Sequence, residues 1–337
     1  MRKLWLSVLL AILSFAQVND LMAQSKGDFG YTTINARVGI ANYFGDLNPL
    51  AQYMSTELSF TRPSFGLEVE RIFRGQRFGI RFGLMWARLQ GDDFTAADPN
   101  NERHRYRYIR NAHFRNDVFE TTLVGTIRIP EIAGGTWRNP VTPWTPYVFI
   151  GIGALYHNPV ARTPEEFGGN WVSLKPLQTE GQDYSSFAFM IPFGVGVDWR
   201  LTDRIDIGVE MGMRFTFTDY LDDVSGLYTD PANLSSDLAR AMANRTMEPV
   251  SALKGGSRQA EIQRLGGLIG TSVFIGPDGR PYTSFNGFGQ EGDQRGNDGA
   301  TDVYLVTSVH LKYVLGARPF CPDLGSRKRN RRGGRLR

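Results

Sequence analysis

Residues 205–217 read Ile-Asp-Ile-Gly-Val-Glu-Met-Gly-Met-Arg-Phe-Thr-Phe. Ile205, Ile207, Val209, Met211, Met213, Phe215 and Phe217 fall on one face of a strand. Asp206, Gly208, Glu210, Gly212, Arg214 and Thr216 fall on the other. A strand of a soluble sandwich usually stops at about five or six residues. Thirteen alternating residues fit a tilted strand that crosses a bilayer with its ends in water.

The same alternation recurs along the chain. Residues 77–89 set Phe78, Ile80, Phe82, Leu84 and Trp86 against Gly79, Arg81 and Gly83. Residues 186–199 set Phe187, Phe189, Ile191, Phe193, Val195, Val197 and Trp199 on one face. Residues 303–315 set Val303, Leu305, Val309, Leu311, Tyr313 and Leu315 against Ser308, His310 and Lys312. Residues 31–42, 64–73 and 117–129 repeat the pattern, and 146–156 is apolar on both faces. Pro192 lacks a ladder donor and predicts a local bulge.

These segments make eight strands. In lipid, strands satisfy all their backbone groups only in a closed barrel. The fold class is therefore all-β, an eight-stranded antiparallel transmembrane β-barrel. Barrels of this size are filled by side chains. The inward set is Arg37, Glu68, Glu70, Arg81, Glu120, Arg128, Asp206, Glu210, Arg214, His310 and Lys312. Both signs are mixed, so charge pairs can plug the lumen and a diffusion pore is not expected. A soluble lipocalin-type barrel would reverse the faces, and strands this long and apolar argue against it.

Composition agrees. The 337 residues include 38 Gly and 41 aromatics, and no stretch after residue 16 approaches a spanning helix. A single Cys excludes a disulfide framework, and four His leave little for a zinc enzyme. The net charge of +4 is concentrated at one end. Residues 327–337 hold seven Lys or Arg, and without them 31 basic residues face 34 acidic ones. Nucleic acid is not expected as a partner.

Met1–Ala16 has a basic start at Arg2 and Lys3 and an apolar core over Leu4–Ala16, as a signal peptide does. Cleavage after Ala16 fits the small-residue rule, but cleavage after Ala23 is preferred. No Cys stands near either cut, which argues against a lipoprotein. The expected organisation is a signal peptide over 1–23, a barrel over 24–317 and a basic tail over 318–337.

Connections alternate in length. Residues 74–76 and 200–204 are short and 130–145 is intermediate. Residues 43–63, 90–113, 157–185 and 218–301 are long. Long extracellular loops and short periplasmic turns place the chain in the outer membrane, against its lipid, with both termini periplasmic. Tyr31, Trp144, Tyr147, Trp199 and Tyr313 are expected at the periplasmic aromatic girdle. Tyr43, Phe44, Trp86, Phe217 and Tyr220 are expected at the outer one. The 218–301 loop is predicted to hold a helix after Asp230-Pro231 and another through 257–265. It ends in a flexible Gly/Asn/Asp-rich run.

Four stretches carry a resemblance. Asn42-Tyr43-Phe44-Gly45-Asp46-Leu47-Asn48-Pro49 follows the first strand, and Thr179-Glu180-Gly181-Gln182 precedes the sixth. Phe217-Thr218-Asp219-Tyr220-Leu221-Asp222-Asp223-Val224-Ser225-Gly226 follows the seventh, and Cys321-Pro322 the eighth. As an ordered set over nearly the whole mature chain, they resemble the PorG-like outer-membrane barrels of the type IX secretion system. The resemblance implies a non-enzymatic part of that machinery, associated with a periplasmic ring of PorK-type lipoprotein and PorN-type protein. The basic tail departs from the pattern as an extension.

Candidate sites follow. Cys321, in an oxidising compartment, is a candidate for an intermolecular disulfide to the PorK-type lipoprotein. Cys321, Pro322, Arg327, Lys328, Arg329, Arg331 and Arg332 form the candidate partner-binding tail. Asp219, Asp222, Asp223 and Asp230 do not match a calcium-loop spacing, so no metal is expected, and no cofactor. A lipid-modifying enzyme would have to use Ser308 and His310 with Glu120 orienting the His. Neighbours two apart on a strand are roughly 6–7 Å apart, which disfavours the pair. A third reading is a surface adhesin that uses loop 218–301.

Overall fold

The computed structural model describes residues 30–316, apart from 48–59, 74–75, 103, 135–141, 254 and 277–278. Eight long strands form the wall: β1 (Tyr31–Phe44), β2 (Arg62–Ile72), β3 (Phe78–Asp92), β4 (His113–Arg128), β5 (Trp144–Tyr156), β8 (Phe187–Arg200), β9 (Ile205–Thr216) and β12 (Val303–Leu315). Each pairs antiparallel with its neighbours, and β1 pairs with β12, so the sheet closes. Four short strands lie outside the wall. β6 (Pro159–Arg162) continues the β4 ladder, β7 (Trp171–Ser173) adds to β6, and β10 (Thr271–Ile275) and β11 (Pro281–Phe285) form a separate hairpin. The topology puts the start of β1 and the end of β12 at the short-turn end.

The wall is inverted relative to a soluble protein. Leu67, Ile152, Phe187 and Phe189 are among the many large apolar side chains left exposed. Apolar surface on this scale needs a partner phase, and lipid provides it. Charges face inward in three tiers. Nearest the short turns, Lys312 Nζ donates to Glu70 at 3.2 Å and Asp198 at 2.8 Å. Arg128 joins the same two carboxylates, and His310 Nε2 lies 2.8 Å from Asp198. At mid-height, Glu210 accepts from Arg37 at 2.8 Å, Arg81 at 2.6 Å and the Tyr147 hydroxyl at 2.7 Å. Higher still, Tyr304 donates to Glu120 at 2.8 Å. From that tier upward, Leu47, Met85, Phe114, Leu155, Met190, Leu221 and the Tyr304 ring form an apolar core.

Small residues make room for this filling. A Cβ at Gly196 would strike the Tyr147 ring, and one at Gly208 would strike His310. The glycines of β8 and β9 thus accommodate large side chains from β5 and β12.

Three expectations are corrected. Pro192 produces no bulge. The β5–β8 register is the same at Ile150↔Phe193 and Gly153↔Met190, and only the two pairs between are missing. The lost donor interrupts the ladder without inserting a residue. Tyr31, Tyr43 and Tyr147 are buried inside rather than set in a girdle: Tyr31 packs with Ile72 and Val314, while the Tyr43 and Tyr147 hydroxyls donate to Asp302 and Glu210. Tyr220 stacks on Tyr184 in the cap described below. Trp199, Tyr313 and Phe217 do face outward. Finally, the long-loop helix starts at Asp237 with Ser236 as its cap, while Asp230 caps only a short turn at Pro231–Asn233.

Removing one partner of a buried ion cluster strands the others. Glu210→Gln should cost about 3–5 kcal/mol, read as a lower urea midpoint for the folded, heat-modifiable form. Arg88→Gln, from a pair about one-third exposed, should cost less than about 1 kcal/mol.

Candidate functional site

The separate motif stretches meet at the long-loop end. Asp222 Oδ2 accepts from the Leu47 amide, and Asp222 Oδ1 from the Val224 amide, both at 3.0 Å. Glu180 accepts from the amides of Ser225 and Gly226 at 3.0 Å. Asp223, at a left-handed φ of 69°, accepts from Thr179 at 2.5 Å and Tyr184 at 2.7 Å. Leu221 and Val224 turn down into the apolar core. The result is a hydrogen-bonded cap on the lumen.

Other segments lock this cap. Asp302, just before β12, accepts from the Tyr43 hydroxyl and from the Leu221 amide. Gly45 is required there, since a Cβ would meet both Tyr43 and Asp302. Arg295 donates to Glu180 at 2.7 Å and to the Asp223 carbonyl at 2.8 Å. Arg110 forks onto Asp93 and reaches the Asp46 and Arg295 carbonyls. The Gly/Asn/Asp-rich run, expected to be flexible, is therefore pinned, with Asn297 also donating to Asp46. Arg295 was not singled out beforehand. Its only sequence signal is a lone cation in an acidic, glycine-rich run.

A second outer layer rests on this cap. The helix Gln259–Ile269, near the expected 257–265, packs Leu265 against Tyr108, Ile109 and Phe285. Arg258 is buried beneath it and donates to the carbonyls of Tyr108, Ile109 and Glu248. A cavity of about 450 Å³ opens beside this layer, lined in part by Glu165, Tyr228, Leu234, Arg240 and Tyr282.

The cap is acidic, and its carboxyls titrate abnormally. Burial, then the Asp46 charge, pushes Asp222 well above the usual range. Burial and Asp222 do the same to Asp302. Burial raises Asp219 to about 7, and its Oδ2 has no hydrogen-bond partner. Burial raises Asp223 to about 6 despite Arg295. Asp222 and Asp223 hold amides and hydroxyls rather than an ion, and Asp230 accepts from Ala232. Among the described residues, no group of three or more His, Cys, Asp or Glu is placed to hold a metal.

The enzymatic constellation does not assemble. Ser308 Oγ is buried without a partner, and His310 is held by Asp198 rather than Glu120. Glu120 is occupied by Tyr304 and Arg214. His113 is also buried, accepting from the Arg162 amide. Cys321, Pro322, Arg327, Lys328, Arg329, Arg331 and Arg332 lie outside the described residues, as does the signal segment.

A family described as a domain of unknown function, DUF6089, matches residues 6–235, well over half of the chain. The chain belongs to this family. No curated protein matches it. Among solved structures, a major outer membrane protein from Thermus thermophilus aligns at 10% identity and a TM-score of 0.36. The alignment covers 84% of this chain and 99% of that one. Ail, the attachment invasion locus protein of Yersinia pestis solved with a heparin analogue, aligns at 9% identity and 0.34, covering 85% and 99%. Neisserial surface protein A aligns at 9% identity and 0.30, covering 86% and 99%. These likenesses concern the fold alone. The DUF6089 chain is a closed eight-stranded barrel of the outer-membrane kind.

The raised carboxyls fix the sign of a pH effect. The folded cap binds protons that the unfolded chain releases. That stabilisation is complete below the ordinary aspartate range. It is lost as pH rises through about 6 for Asp223 and about 7 for Asp219. Amide exchange across 219–226, corrected for intrinsic rate, should be slower at pH 5 than at pH 8. Asp219→Asn should flatten the upper part of that profile.

Proposed function

We propose that this protein is a PorG-like component of the type IX secretion system. It would anchor or organise a periplasmic ring of PorK-type lipoprotein and PorN-type protein. In this reading the long loops face outward and both termini lie in the periplasm. The barrel acts as a scaffold rather than as a conduit or an enzyme.

The observation that carries the reading is the short-turn end. The lumen is filled with paired charges, so the protein must work at its ends. At the short-turn end, Ile132 is 62% exposed and Leu201 is 60% exposed, and Phe73 is also exposed. Each comes from a different turn, and Arg77 pairs with Glu131 beside Ile132. Apolar side chains held on tight turns suit a protein partner. The resemblance gains support from the cap, because three of its four stretches form one hydrogen-bonded unit. Cys321 and the basic tail would leave the barrel at this same end and add a covalent or electrostatic contact.

Co-purification from mildly solubilised membranes tests the proposal. Ring subunits should accompany the wild type, and Ile132→Glu with Leu201→Glu should deplete them. Without reductant, a high-mass band that vanishes in Cys321→Ser would assign the disulfide. If no periplasmic protein accompanies the wild-type barrel, the scaffold reading fails.

A further inference from the structure

The outer surface of β2, β3 and β4 carries an unusual boundary near the long-loop end. Phe65, Trp86 and Phe119 stand side by side in register across the three strands. The Phe65 and Trp86 rings stack with centroids 5.7 Å apart. Immediately beyond this apolar row, Arg88 pairs with Asp117 and Gln90 with Arg115 across the β3–β4 ladder. Arg88 forks onto Asp117 at 2.6 and 3.0 Å and also lies 5.5 Å from the Trp86 ring centroid. Arg62 reaches from the start of β2 to the Gln90 amide oxygen at 2.7 Å. Gln90 stands two residues beyond Arg88 on the same face of β3. Arg115 lies 4.3 Å from the Trp171 ring centroid, and its Nε makes no hydrogen bond.

Three guanidiniums thus gather at the edge of the apolar wall. Among the described residues, the outward faces of β5, β8 and β9 near this end carry no such cluster of arginines. At the same end, β5, β8 and β9 present exposed aromatics instead, at Tyr156, Phe187, Phe189 and Phe215. A general interfacial ring would repeat the cations around the barrel. Asp117 offsets one of the three charges; the positive excess that remains on neighbouring strands is unfavourable, and an anion relieves it. The guanidinium fork matches phosphate oxygens in geometry, and the flanking rings supply apolar footing for a lipid.

We propose that Arg62, Arg88 and Arg115 form a binding site for the phosphate groups of a phosphorylated lipid headgroup. The lipid's acyl part would lie against Phe65, Trp86 and Phe119. That the lipid belongs to the outer leaflet rests on the sidedness proposed above. The phosphate chemistry rests on the residues alone.

The test uses purified full-length barrel in neutral detergent, with bisphosphorylated lipid A as probe and Trp fluorescence or native mass spectrometry as readout. Binding should weaken by about tenfold or more in Arg62→Gln/Arg88→Gln/Arg115→Gln. It should also weaken with added salt, since the site is partly exposed. Arg62→Lys/Arg88→Lys keeps the charge and should retain part of the affinity. Heat-modifiable mobility confirms that each variant is folded. Equal binding of dephosphorylated lipid A, or no change in the Gln variant, would overturn the site. Displacement by inorganic phosphate at equal concentration would overturn the lipid assignment and leave a free-anion site. None of these outcomes bears on co-purification with a ring, so the two proposals fail separately.

Discussion

Glu210 is the carboxylate around which the barrel is assembled. It accepts from Arg37 of β1, Arg81 of β3 and Tyr147 of β5, while itself standing on β9. Four strands are tied by one charge cluster that neither lipid nor water reaches. Isolated buried ions are expensive, and a cluster survives only when its members satisfy each other. That requirement sets the barrel's size, since a wider lumen would leave the pairs too far apart. It also explains the glycines opposite Tyr147 and His310, which let long side chains lie across the bore.

The ionic filling needs a lid, and the lid is built from residues far apart in sequence. An apolar layer of Leu47, Leu221, Val224 and Phe114 separates the charge tiers from the loops. Above it, Asp222, Asp223, Asp302 and Glu180 direct their oxygens to amides, hydroxyls and Arg295 rather than to solvent. Burial nevertheless pushes Asp222, Asp223 and Asp302 toward the neutral form. Cap and lumen therefore differ in character. The lumen pairs opposite charges, while the cap relies on acids that hold backbone donors.

Much of the wall was legible in the alternation alone, because a period of two admits one assignment of faces. Ile34, Val38 and Ile40 had to face lipid once Arg37 faced the lumen. The same logic places Tyr31 and Tyr43 inside, and the girdle expectation failed there by setting residue type above register; Tyr147 lies on a strand apolar on both faces, where alternation assigns no side. Pro192 misled in the other direction. A missing donor breaks two pairs but does not demand an extra residue when the partner strand keeps its phase. The cap was legible only as disconnected stretches. Nothing local links Leu47 to Asp222 or Glu180 to Ser225, because those bonds depend on barrel closure bringing three loops together. Arg295 was hidden for the same reason. Its glycine-rich surroundings read as flexible until its partners, Glu180 and Asp223, are placed beside it.

The two ends of the barrel are unequal, and the inequality carries functional meaning. One end supports cap, helices and a hairpin, drawn from loops that include the 84 residues of 218–301. Those loops bury their own apolar side chains, as Leu265 and Phe285 do against Tyr108. The other end has tight turns that leave Ile132 and Leu201 uncovered. A turn too short to fold back on itself cannot hide an apolar side chain. The long-loop end thus buries part of its apolar surface, although Leu268, Val273 and Ile275 stay exposed there as Ile132 and Leu201 do at the short turns. Among the described residues, paired charges fill the lumen between the two ends, and the Arg88–Asp117 pair stands on the outer face of β3 and β4. The charged interior, tied across β1, β3, β5 and β9 at Glu210, holds the two ends at a fixed distance and orientation.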